Sequence, residues 1–247
     1  MIDDINKRIA KTSRSATPEE KARWVQGARD TMDKMRVIKE PSTTEFQGLK
    51  ITTLPNVFPQ RFFTDSLWFA SRVPQLVEKK RFLEIGTGNG ITALIAAKNG
   101  APVVATDINP DAVKNARLNF EQNHLAGSIR EGDVFDPIRV HEKFDVIFWN
   151  HPFHNVAEPP RDMLERSGLD QGYNGLKRYM SEGPAHLTEG GLHLLGTGHR
   201  GDMSDIEKVA EEYNRELRIV DEGDFPAREG NADDLFHYMI LSIEEKK

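Results

Sequence analysis

RFLEIGTGNGITALIAAKNGAPVVATDINP, residues 81–110, decides the fold. A short apolar run (Phe82, Leu83, Ile85) stops on glycines at 86, 88 and 90. The pattern then lengthens to that of a helix with small residues on its packed side and Gly100 at its end. A second apolar run, Val103-Val104-Ala105, ends on Asp107, and Pro110 opens another helix over NPDAVKNARLNFEQNHL. The stretch therefore predicts strand, tight turn, helix, strand.

Outward from this unit the alternation continues. GSIREGDVF (127–135) reads as a third strand with its loop and FDVIFWN (144–150) as a fourth. LKRYMSEGPAHL (176–187) is a predicted helix, GGLHLLGTG (190–198) a strand and MSDIEKVAEEYN (203–214) a helix. RELRIVDEGDF (215–225) and LFHYMILSIEE (235–245) are closing strands. Strands joined by crossover-length helices require a parallel sheet covered on both faces, so the fold class is α/β, doubly wound and mostly parallel, with an N-terminal helical and strand extension. Residues 1–45 are taken as that extension and 46–247 as the main domain. In such sheets ligands sit beyond the carboxyl ends of the strands.

The extension carries a helix start of its own. Thr17 is placed as N-cap, Pro18 at the first helical position and Glu20 as the partner of a capping box. Trp24, Ala28, Met32 and Met35 share a face, which favours a helix packed on the body or on a second copy in a homodimer over a lid on a substrate. Residues 41–80 hold short strand-like pieces broken by Pro55 and Pro59, then a helix from about Asp65.

Composition excludes several classes. The 247 residues carry a formal net charge of −6, which disfavours nucleic acid as a partner. There is no cysteine, hence no disulfide, thiolate zinc site or cysteine nucleophile. MIDDINKRIAK at the N-terminus has no continuous apolar core and no later stretch approaches a membrane span, so a cytoplasmic protein without membrane association is expected.

EIGTGNG, residues 84–90, is the first loop beyond a strand end. Its glycines let the backbone turn and approach a bound molecule. The spacing is G-x-G-x-G, with Ile91 where the dinucleotide fingerprint needs glycine, and no Walker lysine follows. Asp107 lies about 20 residues on, where an acid accepts bonds from ribose hydroxyls. Together they indicate an adenosine-type ligand.

Here the chain resembles the Rossmann-like S-adenosylmethionine-dependent methyltransferases. Glu84-Ile85-Gly86-Thr87-Gly88-Asn89-Gly90 is similar to their first motif, and Asp107 with Ile108 to the segment carrying the ribose-binding acid. Asp133 in EGDVF resembles the residue that meets the adenine amino group, with Val134 beside the ring. Asn150-His151-Pro152-Phe153 resembles the Asn-Pro-Pro-aromatic motif of the amino-group methyltransferases, and NVFPQRFFTDS the segment laid over the cofactor, bringing in Phe58, Pro59 and Thr64 as weaker candidates. The resemblance covers roughly residues 45–200 and implies that the main domain, 46–247, is an S-adenosylmethionine-dependent methyltransferase domain. Its implied cofactor residues are Glu84, Gly86, Thr87, Gly88, Gly90, Asp107, Ile108, Asp133, Val134 and Asn150, with Asn150, His151 and Phe153 at the reacting centre and no metal.

The implied chemistry is specific. An amide or exocyclic amino nitrogen is a poor nucleophile and must be aimed at the sulfonium methyl. The Asn150 oxygen and the carbonyl of residue 151 can each accept one N–H while Phe153 packs on the planar face. His151 replaces the first proline of the motif. Its imidazole could take the released proton, although a solvent-facing histidine that merely tolerates the loop is favoured. Trp149 reads as core or pocket wall, and the acidic run EGDFPAREGNADDLF (222–236) as a solvated loop rather than a binding element. The expected acceptor is a protein side chain or a small metabolite. The alternatives are a nucleic-acid base amino group, a regulatory protein that binds the cofactor without turnover, and a nicotinamide oxidoreductase.

Overall fold

The computed structural model describes residues 16–60, 62–228 and 231–246. The MIDDINKRIAK segment, with the expectation drawn from it, lies outside them. The elements in chain order are α1 (Pro18–Arg36), β1 (Ser42–Phe46), β2 (Leu49–Thr53), α2 (Asp65–Val77), β3 (Phe82–Ile85), α3 (Ile91–Lys98), β4 (Val103–Asp107), α4 (Pro110–Gln122) and β5 (Ser128–Glu131). They continue with β6 (Phe144–Asn150), β7 (His154–Val156), α5 (Met163–Arg166), β8 (Leu169–Gln171), α6 (Asn174–Glu182), β9 (Leu187–Gly198), α7 (Met203–Glu212), β10 (Arg215–Arg228) and β11 (Asn231–Glu245).

The main sheet has seven strands in the order β10-β11-β9-β6-β3-β4-β5. β3 pairs in parallel with β4 (Phe82 opposite Val103) and with β6 (Phe82 opposite Val146), and β11 runs antiparallel between β9 and β10. This is the Rossmann-like methyltransferase fold. The winding reverses at β3, so the crevice lies beyond the carboxyl ends of β3, β4 and β6. Those ends are the two glycine-rich and acid-bearing turns and the Asn150 loop.

Both sheet faces are buried, which is why the central strands read as continuous apolar runs. Phe82, Val146, Phe148 and Leu194 pack under α2 and α3 against Trp68, Phe69, Val73 and Leu94. Their strand neighbours Leu83, Ile85, Ile147, Trp149 and Leu195 point the other way, against Tyr179 and Met180 of α6 and Ile206 of α7.

One feature corrects the sequence reading and another adds to it. EGDFPAREGNADDLF is not a solvated loop: apart from residues 229 and 230 it forms the facing ends of β10 and β11, and Ala227 and Phe236 are buried. Exposed Asp224 and Asp234 stand on the same strands as buried Ala227 and Phe236, so overall polarity concealed strands. The β1–β2 hairpin, in turn, is held by asparagines one helical turn apart on and just beyond α4. Asn115 and Asn119 both donate to the Thr52 carbonyl (2.7 and 2.8 Å), and the Thr52 N–H donates to Asn119 (2.9 Å). Asn123 bonds both backbone groups of Lys50 (2.9 and 2.7 Å). Side-chain amides thus satisfy one edge of β2 as a neighbouring strand would.

Helix α1 begins as expected, with the reciprocal Thr17–Glu20 capping box. Ala28, Met32 and Met35 pack against Val156, Leu164 and Leu169 of the β7–α5–β8 excursion. Arg36 reaches Asp162 (2.8 Å) and Glu165 (3.5 Å), while Lys21 pairs with Asp202 and Asp205. The helix is fastened to α5 and its N-cap at one end and to α7 and its N-cap at the other.

Candidate active site

The three glycines of the first loop do different work. All have positive φ (+61°, +58° and +84° for Gly86, Gly88 and Gly90), which side chains rarely adopt. A Cβ on Gly86 would stand 2.7 Å from Trp149 Nε1, and one on Gly90 3.0 Å from the Ala116 Cβ. One on Gly88 would meet nothing within 4 Å. Gly86 and Gly88 line a cavity of about 330 Å³, whereas Gly90 does not. The contact at Gly90 lets α3 approach α4.

Carboxylates organise this loop. Glu84 accepts from Thr87 Oγ1 (2.5 Å) and from the Ala93 N–H (3.1 Å), tying the turn to the first turn of α3. Burial, opposed by these bonds, pushes its carboxyl up to about 7. Asp107 accepts from the Gly88 N–H and the Asn109 N–H, both at 2.8 Å, and burial raises it to about 6 against those bonds. Glu84, Thr87, Asp107 and Ile108 all line the cavity. Asp133 and Val134 line it too, with one Asp133 oxygen already engaged by Arg166 (3.0 Å) and Arg178 (3.4 Å). Val134 sits at φ +47°, a strained position for a β-branched residue.

The Asn150-His151-Pro152-Phe153 loop closes the other end. Asn150 Nδ2 donates to Asp65 Oδ2 at 2.6 Å. Its Oδ1 is buried without a hydrogen-bond partner among the described residues, as are Asp65 Oδ1, Ser66 Oγ and both His151 ring nitrogens. The Phe153 carbonyl accepts from Tyr173 Oη (2.8 Å), which pins the loop. Phe153 lines the cavity, its ring 6.2 Å from that of Phe236.

His151 corrects the solvent-facing reading. Its ring is 2% exposed, packed between Trp149, Phe153 and Tyr173 at 5.8–6.1 Å, and burial with nearby His154 lowers its pKa to about 3. At neutral pH it is an uncharged, weak base. Trp149 is a pocket wall against Gly86.

Sequence reasoning missed several cavity residues. Arg23, Trp24, Gly27, Ala28, Thr31 and Met32 show that α1 is a cavity wall as well as a packed helix. Asp65 was seen only as a helix start; an acid beginning a mostly apolar helix was the available signal. Of the weaker candidates Phe58 lines the cavity, stacked on Phe63 at 5.0 Å, while Pro59 and Thr64 do not. The Thr64 hydroxyl is taken by the Pro226 carbonyl. Arg200, in the turn after β9, and Asp234 and Phe236 of β11 add to the wall.

The crevice suits an adenosyl sulfonium: a glycine cradle kept open at Gly88, a buried acid at the end of β4 and an unpartnered acceptor at the end of β6. Fold and site together define a Rossmann-like S-adenosylmethionine-dependent methyltransferase. Residues 48–195 match the methyltransferase small domain family, and the chain belongs to it. It is 34% identical over 171 residues to a Methanocaldococcus jannaschii protein provisionally assigned as a protein N5-glutamine methyltransferase, covering 67% of this chain and 84% of that one. It is 30% identical over 148 residues to ribosomal RNA small subunit methyltransferase C of Haemophilus influenzae, covering 59% of this chain but 40% of that protein. The T. thermophilus 16S rRNA N2 G1207 methyltransferase, solved with AdoMet and guanosine, shares the fold at a TM-score of 0.56 and 21% identity, over 84% of this chain and 50% of that one. No described helix is long and apolar enough to cross a membrane.

Proposed function

We propose that the protein methylates a nitrogen bearing N–H bonds, an amide or amino group of a protein side chain or small metabolite, with Asn150 as the residue that holds it. The observation that carries this reading is the Asn150 amide: its NH₂ end is committed to Asp65 and its carbonyl is buried and unpartnered. Buried polar atoms are overwhelmingly paired in folded proteins, so an orphaned acceptor beside a cavity calls for a donor from a ligand.

The bound cofactor supplies an electrophilic methyl on a sulfonium. Gly86 and Gly88 would bring backbone against it, Asp107 would accept from its ribose, and Ile108, Val134 and Asp133 would hold the base. Asn150 then orients the acceptor, and its carbonyl dipole stabilises the positive charge that develops on nitrogen. Phe153 packs on the acceptor plane. His151 contributes its packing within the loop; a base with a pKa of about 3 takes no proton at neutral pH. A glutamine-like amide is favoured by the likeness to the M. jannaschii protein and by the net charge of −6.

A labelled-methyl transfer assay against cell extract split into protein, RNA and small-molecule fractions tests the acceptor. Label is expected in the protein or small-molecule fraction. Label confined to RNA would transfer the reading to a base amino group.

The Asp107 assignment has a pH signature. Ribose hydroxyls donate best to an ionised carboxylate, so S-adenosylhomocysteine affinity should be full above pH 6 and weaken by about tenfold per unit below it. In the ligand-free protein the sign reverses. An acid whose folded pKa is raised disfavours the fold when ionised, so Asp107 (3.8 to about 6) and Glu84 (4.5 to about 7) each subtract stability as pH rises through 4 to 7, while buried His151 (6.5 to about 3) and His193 (6.5 to about 3) add stability over the same window. Asp107→Ala should cost roughly 1.5–3 kcal/mol of affinity and flatten the binding profile, both read by calorimetry. Unchanged affinity would remove Asp107 from the site.

A further inference from the structure

Asp65 opens α2, a 13-residue helix that packs under the sheet, and its side chain is 9% exposed. Its one hydrogen bond to another side chain is the 2.6 Å contact from Asn150. Burial pushes the Asp65 carboxyl up, opposed by the bond from Asn150 and by the backbone N–H groups of Ser66 and Asp65 itself. In its ionised form the carboxylate has acceptors only. Asp65 therefore presents no N–H to Asn150, and the Asn150 amide must turn its NH₂ to Asp65 and leave its carbonyl over. Any neutral amide at position 65 would allow either orientation. The second Asp65 oxygen is also buried and unpartnered, as is the hydroxyl of neighbouring Ser66, and all three residues line the same cavity. A purely structural Asp–Asn pair would be expected to satisfy its remaining polar atoms within the fold. This one leaves two oxygens without donors.

We propose that Asp65 is a positioning residue for methyl transfer: it locks the Asn150 side-chain amide so that its carbonyl serves the acceptor, and the two leftover oxygens of the pair together select a nitrogen with two N–H bonds, a primary amide or primary amino group. The inference rests on the nitrogen-acceptor reading above. It carries a chemical corollary. A primary nitrogen supplies one donor to each oxygen in the ground state. Once methylated and deprotonated, it retains one N–H and leaves one buried oxygen unpaired, so the pair discriminates against a second round. Atoms balance simply: the S–CH₃ bond breaks, the N–CH₃ bond forms with the nitrogen lone pair, the sulfonium electrons return to sulfur, and the nitrogen proton is released to solvent.

The test is a pair of isosteric changes, Asp65→Asn and the double swap Asp65→Asn with Asn150→Asp, run beside Asn150→Ala. Each is assayed for initial rate of labelled-methyl transfer, at saturating S-adenosylmethionine, into the extract fraction that the native enzyme labels. S-adenosylhomocysteine affinity and Tm are measured in parallel. Asp65→Asn is expected to slow transfer by about 30-fold or more while affinity stays within about threefold, because the amide loses its unique orientation. The swap restores one donor and one acceptor-only partner in reversed positions and should recover at least tenfold of that loss. A rate within threefold of native in Asp65→Asn, a parallel loss of cofactor affinity, or a swap no faster than Asp65→Asn overturns the proposal. Failure of the underlying reading looks different: Asn150→Ala itself would turn over at a near-native rate.

Discussion

Asn150→Ala is expected to cut methyl transfer by about 100-fold or more, close to 3 kcal/mol of barrier, while S-adenosylhomocysteine affinity changes by less than about threefold. The asymmetry follows from where the two ligands sit. The cofactor groups gather at the ends of β3 and β4, through Gly86, Gly88 and Asp107, whereas Asn150 ends β6 and turns its amide to Asp65. Truncation removes an interaction that strengthens as charge develops on the acceptor nitrogen, so kcat falls and cofactor affinity does not. It also strips the Asp65 carboxylate of its one side-chain donor, and some loss of Tm should accompany the loss of rate. Near-normal turnover would sink the nitrogen-acceptor reading.

Gly86→Ala and Gly88→Ala should separate architecture from binding. Both positions have φ near +60°, so both carry the strain of a left-handed residue, on the order of 1 kcal/mol or more. At position 86 the added methyl also meets the Trp149 indole at 2.7 Å, and Trp149 is wedged against Tyr179 (ring centroids 5.3 Å apart). Overpacking of this kind adds about 1–3 kcal/mol, for a total of roughly 2–4 kcal/mol and a Tm drop of roughly 4–16 °C. At position 88 the methyl enters open space, so the Tm loss should be the smaller one and the loss of cofactor affinity the dominant effect. Thermal unfolding and calorimetry on the two variants check this. Equal Tm losses would mean that Trp149 yields and that the 86 contact is not a constraint.

How much of this was legible depends on the range of the interaction. The parallel sheet was readable because β3, β4 and β6 are short apolar runs separated by helix-period segments, a signal carried by neighbours along the chain. The Thr17–Glu20 cap was readable for the same reason, since both partners lie within one helical turn. β10 and β11 were underestimated: their facing ends carry acidic residues outward, and alternation is hard to see where turn-formers interrupt it. The asparagines at 115, 119 and 123 recur one helical turn apart along the chain. Only the arrival of β2 alongside turns them into a backbone-satisfying edge.

By itself, the sequence determined the class of fold, the glycine turn, the acid beyond β4 and the Asn150 loop, because each is a local backbone requirement written in adjacent residues. Tertiary structure decided which of those residues share a cavity and what state they are in. Gly90 serves helix packing because Ala116, 26 positions on, lies against it. His151 is neutral and buried because Trp149, Phe153 and Tyr173 close around it. Asp65 becomes a partner of Asn150 across 85 residues of chain, and α1 becomes a wall of the crevice through Lys21 and Arg36. Burial and pairing are properties of three-dimensional proximity, and they, not residue type, set charge state, orientation and access.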